Sequence, residues 1–198
     1  MEMNKMSIRR ATIYFKKPGK ANTAETLKIA LNAAKERGID TVLVASTTGW
    51  TAEEALKQFE GSGLRLIVVT HQTGYQEPGV QLMPSEVRNK LEENGVVVYT
   101  GTDVLTRGAQ ARIEGRQPMA VPLASTIIGN TLRMFSKGVK ACVEIALMAA
   151  DAGLIPIDEP IITVAGTHSG SDSALILTPA NSNNVRALKI HEILAKPL

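Results

Sequence analysis

Apolar positions along the chain fall into two alternating spacings. Short runs rich in β-branched and aromatic residues occur at Ala11–Phe15 (ATIYF), Thr41–Ala45 (TVLVA), Leu64–Thr70 (LRLIVVT), Gly95–Tyr99 (GVVVY), Pro160–Ala165 (PIITVA) and Ala174–Leu177 (ALIL). Each predicts a strand, buried at Thr41–Ala45 and Leu64–Thr70. Between them lie segments with helical spacing. Leu27, Ala30, Leu31 and Ala34 share a face after Asn22 or Thr23 as cap, and that segment stops at Gly38. Thr51-Ala52-Glu53-Glu54-Ala55-Leu56 opens a second helix, and Pro84 to Asn94 predicts a third, with proline in its first turn and Gly95 at its stop. Ala124–Phe135 and Lys137–Ala152 predict two more, separated near Gly138. The last of these, KACVEIALMAADAG, is apolar on nearly every face and is expected to be buried all round.

Strands alternating with helices predict an α/β fold of three layers, α/β/α, built on a mostly parallel, doubly wound sheet. Only Gly166–Ser173 joins the last two strands, which is too short for a right-handed crossover. A C-terminal antiparallel hairpin strand is therefore expected on an otherwise parallel sheet. One domain spanning residues 1–198 is expected, with residues 1–10 polar and flexible. Residues 101–138 lose the strand pattern and place Arg107, Arg112 and Arg116 among glycines and prolines. They predict a helical excursion that serves as a mobile loop, a lid or an oligomer contact.

In a doubly wound sheet, ligands bind outside the carboxyl ends of the strands. The loops after Phe15, Ala45, Thr70 and Tyr99 are expected on that one edge, which gathers Asn22, Ser46, Thr47, Thr48, Thr51, Thr70, His71, Thr100 and Asp103. Ser46-Thr47-Thr48-Gly49, between a strand and a helix start, offers hydroxyls, free backbone N–H groups and the positive end of a helix dipole. That combination suits a phosphate, and Gly49 lets the backbone approach it. A bulky residue at Gly49 is expected to weaken such binding. The loop is not a Walker motif, because no lysine follows the glycine. An ordinary turn with Thr48 or Thr51 as cap is the alternative, and capping alone is the alternative for Asn22. The loop Gly166-Thr167-His168-Ser169-Gly170-Ser171-Asp172-Ser173 is a second polar, glycine-bearing segment on the same edge. Glu144 lies in the all-apolar helix and must meet a cation, backbone donors or a ligand. Cys142, two residues earlier, reads as a small core residue.

Composition narrows the classes. The net charge is +3 with a pI near 9.0, yet the 22 basic and 19 acidic residues are interspersed. That is too even for a nucleic-acid footprint. A single cysteine and the lack of an apolar leader at the N-terminus fit a cytoplasmic protein, and Glu144 and Asp151 interrupt the longest apolar run, so no membrane span is expected. His71, His168 and His191 are scattered, and no metal-ligand spacing is present. Apolar helices in the later half and an exposed sheet edge are compatible with a homodimer.

The order STTGWTA, LIVVTH, GVVVY, AADAGLI, PIITVAG, GSDSALIL resembles the C-terminal α/β domain of pyruvate kinase. The whole chain resembles stand-alone relatives of that domain through PGKANTAETL, VASTTGWTA, VTHQTGY, KACVEIALMAADAGLIP and GTHSGSDSALILTPANSNN. The resemblance implies that Ser46, Thr47, Thr48, Gly49 and Thr51 cradle a phosphate, and that Gly166 to Ser173, with Gly170 and Asp172, closes over the ligand. It further implies FMN as the cofactor, its ring system lying among Thr70, His71, Gly74, Tyr75, Gly166 and Thr167. His71, Cys142 or Glu144 would tune that ring, and Trp50 would stack on it or cover the excursion or a partner subunit. A chain of 198 residues has no room for the kinase barrel with its catalytic lysine and metal-binding carboxylates, so it is not expected to be a pyruvate kinase by itself. The excursion also exceeds what the kinase domain has. Three functions follow as expectations: a protein binding FMN or another phosphorylated small molecule, a non-catalytic module sensing a sugar phosphate or nucleotide effector, and an assembly subunit with a vestigial crevice.

Overall fold

The computed structural model describes residues 7–105 and 123–198. Seven strands form one sheet: β1 (Ile13–Phe15), β2 (Thr41–Ala45), β3 (Arg65–His71), β4 (Val97–Gly101), β5 (Ile161–Ala165), β6 (Ser173–Thr178) and β7 (Lys189–Pro197). Among the described residues, five α-helices pack on it: α1 (Thr23–Arg37), α2 (Trp50–Phe59), α3 (Ser85–Glu93), α4 (Ala124–Arg133) and α5 (Lys137–Asp151).

Alternation along the strands sorts the core into two layers. Val42, Val44, Val68, Ile162 and Val164 turn to one face, where Leu27, Ala30 and Ala34 of α1, Ala52, Ala55 and Phe59 of α2 and Leu91 of α3 cover them. Leu43, Ile67, Val69, Ile161 and Leu175 turn to the other, beneath α5 and beneath Ile128 and Leu132 of α4. Every residue of α5 from Gly138 to Ala150 except the half-buried Ala141 is buried, as its all-round apolar sequence requires. The expected three-layer α/β/α architecture is therefore present.

The strand order is β1-β7-β6-β5-β2-β3-β4. β2 pairs in parallel with both β3 and β5, β3 with β4, and β1 with β7. β6 is antiparallel to β5 and to β7, so the C-terminal hairpin is confirmed. From β2 the chain runs outward through β3 to β4, while β5 lies on the opposite side of β2. The sheet thus reverses its winding between β2 and β5, and loops leaving these two strands diverge to open a crevice.

Several boundaries differ from the sequence reading. β1 keeps three residues, and β3 and β4 extend to His71 and Gly101. β7 has no apolar signature: KIHEILAKP is polar in its first half and exposed there, and only its second half is covered. Gly38 ends α1 in the left-handed conformation, as the pattern requires. Neither Asn22 nor Thr23 caps α1 with its side chain. Of the 101–138 excursion, 106–122 lie outside the described residues, as do Arg107, Arg112 and Arg116; α4 is its described helix. Residues 1–6 are also outside, and 7–10 are exposed without regular structure. Among the described residues no helix is long and apolar enough to cross a membrane.

Candidate functional site

The segment between β2 and α2 is built to leave donors free. Ser46 donates its N–H to the Val69 carbonyl of β3 at 3.0 Å, and its Oγ accepts from Ala52 N at 3.2 Å. Ser46 Oγ thus takes up one first-turn N–H of α2, whose N-cap residue is Gly49 in place of Thr48 or Thr51. Gly49 takes φ +95° and passes its carbonyl to Glu53 N at 2.9 Å. Among the described residues, the N–H groups of Thr47, Thr48, Gly49, Trp50 and Thr51 have no protein acceptor. They sit at the positive end of a ten-residue helix. A Cβ on Gly49 would run into Cγ1 of Val87 on α3 and approach Cγ of Met83 at 3.7 Å. The glycine therefore serves a left-handed backbone packed on α3, and a bulky residue there would disturb that packing before it reached a ligand.

A cavity of about 680 Å³ opens beside this loop, at the β2/β5 switch point. Of the residues expected at a site, Ser46, Thr47, Thr48, Thr51, Thr70, His71, Tyr75, Glu144, Gly166 and Gly170 line it. Thr70, on the last turn of the β3 backbone before His71, donates from Oγ1 to Thr47 O at 3.4 Å and ties the two loops together. His71 and Tyr75 stack with ring centroids 4.0 Å apart and planes 9° from parallel. Trp50 also lines the cavity, and Lys20 Nζ lies 3.8 Å from its ring centroid, a cation–π contact from the loop after β1.

Asn22, Gly49, Gly74, Thr167 and Asp172 do not line the cavity, and each has structural work. Asn22 donates from Nδ2 to Lys17 O at 2.8 Å. Gly49 packs on Val87, and Gly74 (φ +84°) forms a turn by donating to Val80 O at 2.9 Å. Asp172 is fully buried: its Oδ2 accepts from Gly19 N at 2.9 Å and from Thr167 N at 3.2 Å, and its Oδ1 from Ser173 Oγ at 3.0 Å. Thr23 completes the tie, accepting from Ser171 N at 2.9 Å. The 166–173 loop is thereby fastened to the loop after β1.

The lining also includes Lys137, Lys140, Ala141, Glu144 and Met148 of α5, with Arg133 at the end of α4. Glu144 meets both a cation and a backbone donor. Its Oε2 pairs with Lys140, one turn earlier, and its Oε1 accepts from Leu105 N at 2.6 Å. Lys137 Nζ lies 3.3 Å from His168 Nε2, in the loop after β5. His168 takes a left-handed φ of +64°, a conformation that costs a non-glycine residue about 1 kcal/mol or more. The lysines and Arg133 were not among the expected site residues. Lys140 had a legible signal, a cation at i−4 from a carboxylate within an apolar helix.

Cys142 faces away from this chemistry. It is fully buried, and its thiol donates to Thr163 O at 3.5 Å and Ser173 O at 3.7 Å. Burial, aided by the charge of Asp172, pushes the thiol up to about 12 from its ordinary value of 9.0. The folded chain holds the proton more tightly than the unfolded one, so this stabilisation is full below about pH 9 and is lost as the pH rises toward about 12. Iodoacetamide at pH 8 is expected to leave the native chain unlabelled while alkylating it fully in urea. The stability difference between wild type and Cys142→Ala should be constant below pH 9 and shrink above it. Ready native labelling would contradict the burial. Among the described residues, no group of three His, Cys, Asp or Glu side chains is placed to hold a metal ion.

A mostly parallel sheet reversed at β2/β5, with a polar crevice at the carboxyl ends of those strands, defines a doubly wound α/β domain. A model of the family described as pyruvate kinase, alpha/beta domain, matches residues 24–177, and the chain belongs to that family. Among solved structures it is similar to a pyruvate kinase from Cryptosporidium parvum at 16% identity and a TM-score of 0.43, covering 80% of this chain and 23% of that one. A Cryptosporidium parvum pyruvate kinase in complex with ADP gives 16% identity and a TM-score of 0.40, covering 87% and 23%. A hydrogen sulfide-producing enzyme from Fusobacterium nucleatum gives 13% identity and a TM-score of 0.30, covering 69% and 44%. The chain spans about a quarter of the length of the pyruvate kinases it matches.

Proposed function

We propose that this protein binds a phosphorylated small molecule across the β2/β5 switch point, with the phosphate on residues 46–51 and FMN as the ligand. The observation that supports this reading is the run of five backbone N–H groups, Thr47 to Thr51, that have no protein acceptor at the start of α2 beside the cavity. A phosphate supplies the acceptors and negative charge that such a terminus favours. Arg133 and Lys137 add positive charge to the lining. The cavity volume falls within the ~300–1,000 Å³ typical of small-molecule sites. FMN fits the chemistry of the lining: Trp50, Tyr75, Ile145 and Met148 offer aromatic and apolar surface to a flat ring, and Ser46, Thr70 and Ser169 offer hydroxyls to a ribityl chain. When bound, a flavin supplies hydride or single-electron transfer, and the residues around it bind and orient it.

The first test is an absorption spectrum of the freshly purified chain between about 300 and 600 nm, with mass analysis of any molecule released on denaturation. Flavin bands and released FMN are expected. Thr48 is exposed and lines the cavity, so Thr48→Glu should place a negative charge beside the phosphate without altering the core. It is expected to weaken FMN binding about tenfold or more, or ~1.4 kcal/mol. Unchanged affinity would refute the cradle. A colourless chain stabilised against heat by sugar phosphates or nucleotides, but not by FMN, would replace the flavin reading with that of an effector-sensing module.

A further inference from the structure

We propose that His71 is the proton-transferring group of the cavity, a general acid–base residue acting on the phosphorylated ligand, with Asp103 as its positioning residue. This rests on the ligand reading above and adds a chemical role to the site. His71 closes β3, and its register partner on β4 is Gly101, so the chain leaving β4 brings Asp103 alongside the ring. His71 Nδ1 lies 3.1 Å from Asp103 Oδ1, and Asp103 is only 6% exposed. With Asp103 ionised, its carboxylate accepts and cannot donate, which places the proton on Nδ1 and leaves the Nε2 lone pair free. The stacked Tyr75 fixes the plane of the ring. Glu144 pins the same loop two residues beyond Asp103, through Leu105 N. Among the described residues Nε2 has no protein hydrogen-bond partner, and the side chain, 30% exposed, lines the cavity. Among the described residues the other two histidines have no carboxylate partner: His168 Nε2 meets Lys137 and His191 Nε2 meets Thr178.

An imidazole held at Nδ1 by a buried carboxylate, with Nε2 open to a ligand, is the arrangement of an oriented general base. The step is a proton transfer. An acidic O–H, N–H or C–H bond of the ligand breaks and leaves its electron pair on the ligand. A new N–H bond forms at Nε2, and the Asp103 carboxylate offsets the imidazolium charge. The reverse step returns the proton, so no further reactant is needed.

The test uses the full chain labelled with ¹⁵N-histidine, the His71 signals being assigned by their loss in His71→Gln. Neutral His71 is expected in the Nδ1–H form, and Asp103→Asn should populate the Nε2–H form. Saturating FMN should move the Nε2 resonance, as contact with ligand requires. Diethyl pyrocarbonate acylates an imidazole nitrogen with a free lone pair, so it should modify His71. FMN or inorganic phosphate should slow the reaction several-fold. An Nε2–H form in wild type, or a His71 that resists the reagent in the ligand-free chain, would overturn the base assignment even where FMN binds. Normal tautomer and reactivity, with no protection by either ligand, would overturn the ligand reading and with it the ligand's role in the transfer.

Discussion

Replacing Asp172 with alanine is expected to cost the fold about 3–5 kcal/mol, which exceeds what most single substitutions cost. The carboxylate is completely buried and accepts from Gly19 N, Thr167 N and Ser173 Oγ. Removing it leaves two backbone donors and a hydroxyl to find new partners, and a buried donor left unpaired costs about 1–3 kcal/mol. The site is also tightly closed. A Cβ on Gly138 would clash with Ser173 and lie 2.7 Å from Asp172 Oδ1, so the carboxylate packs directly on the first turn of α5, where the helix dipole favours negative charge. Asp172→Asn keeps the shape and one acceptor, and Ser173 Oγ can turn to accept from its amide, so it should recover about half of the loss. Urea unfolding followed by circular dichroism reads both variants, with a lowered midpoint and an unchanged slope. An Asp172→Ala midpoint equal to wild type would show that the three bonds do not anchor the loop. If the loop loosens as expected, affinity for the proposed FMN ligand should fall as well, because Gly166, His168, Ser169 and Gly170 belong to the cavity lining.

That double role of the 166–173 loop shows how far the sequence could be read. Runs such as TVLVA and PIITVA are apolar because both faces of a central parallel strand are covered, so the central sheet was legible. β7 escaped because it pairs with β1 near the sheet margin, and its exposed half tolerates Lys189, His191 and Glu192. The polar edge was legible for the same topological reason, since parallel strands send their exit loops to one side. The division of labour within that edge was not. Asp172 and Thr48 are equally polar letters, yet one is sealed beneath the first turn of α5 and the other faces the cavity. Only the packing of α5 on the β5–β6 hairpin separates them. Ser46 as the acceptor for a first-turn N–H of α2 was similarly hidden: its hydroxyl reaches Ala52 six residues on, because left-handed Gly49 folds the chain back.

Glu144 offers the sharpest separation of fold from function. Glu144→Leu alone is expected to destabilise the chain by about 3–5 kcal/mol, because it leaves the Lys140 ammonium buried without its partner. Both residues are under a tenth exposed and pair within one helical turn of α5. Lys140→Met alone should cost a similar amount, since it leaves the buried Glu144 carboxylate without its cation, beside the Leu105 N–H. The double variant Lys140→Met/Glu144→Leu should recover most of the loss, because a buried ion pair replaced by well-packed apolar side chains is often neutral. A deficit of about 1–3 kcal/mol should remain, from the Leu105 amide that loses its acceptor. Unfolding midpoints of the four chains close the cycle, and additive single losses would show that the two groups do not interact. FMN affinity of the double variant then decides a separate matter. Affinity within about twofold of wild type would assign the pair to holding α5 against the β4 exit loop. A loss beyond about tenfold in a chain of near-native stability would assign Glu144 or Lys140 to the ligand itself.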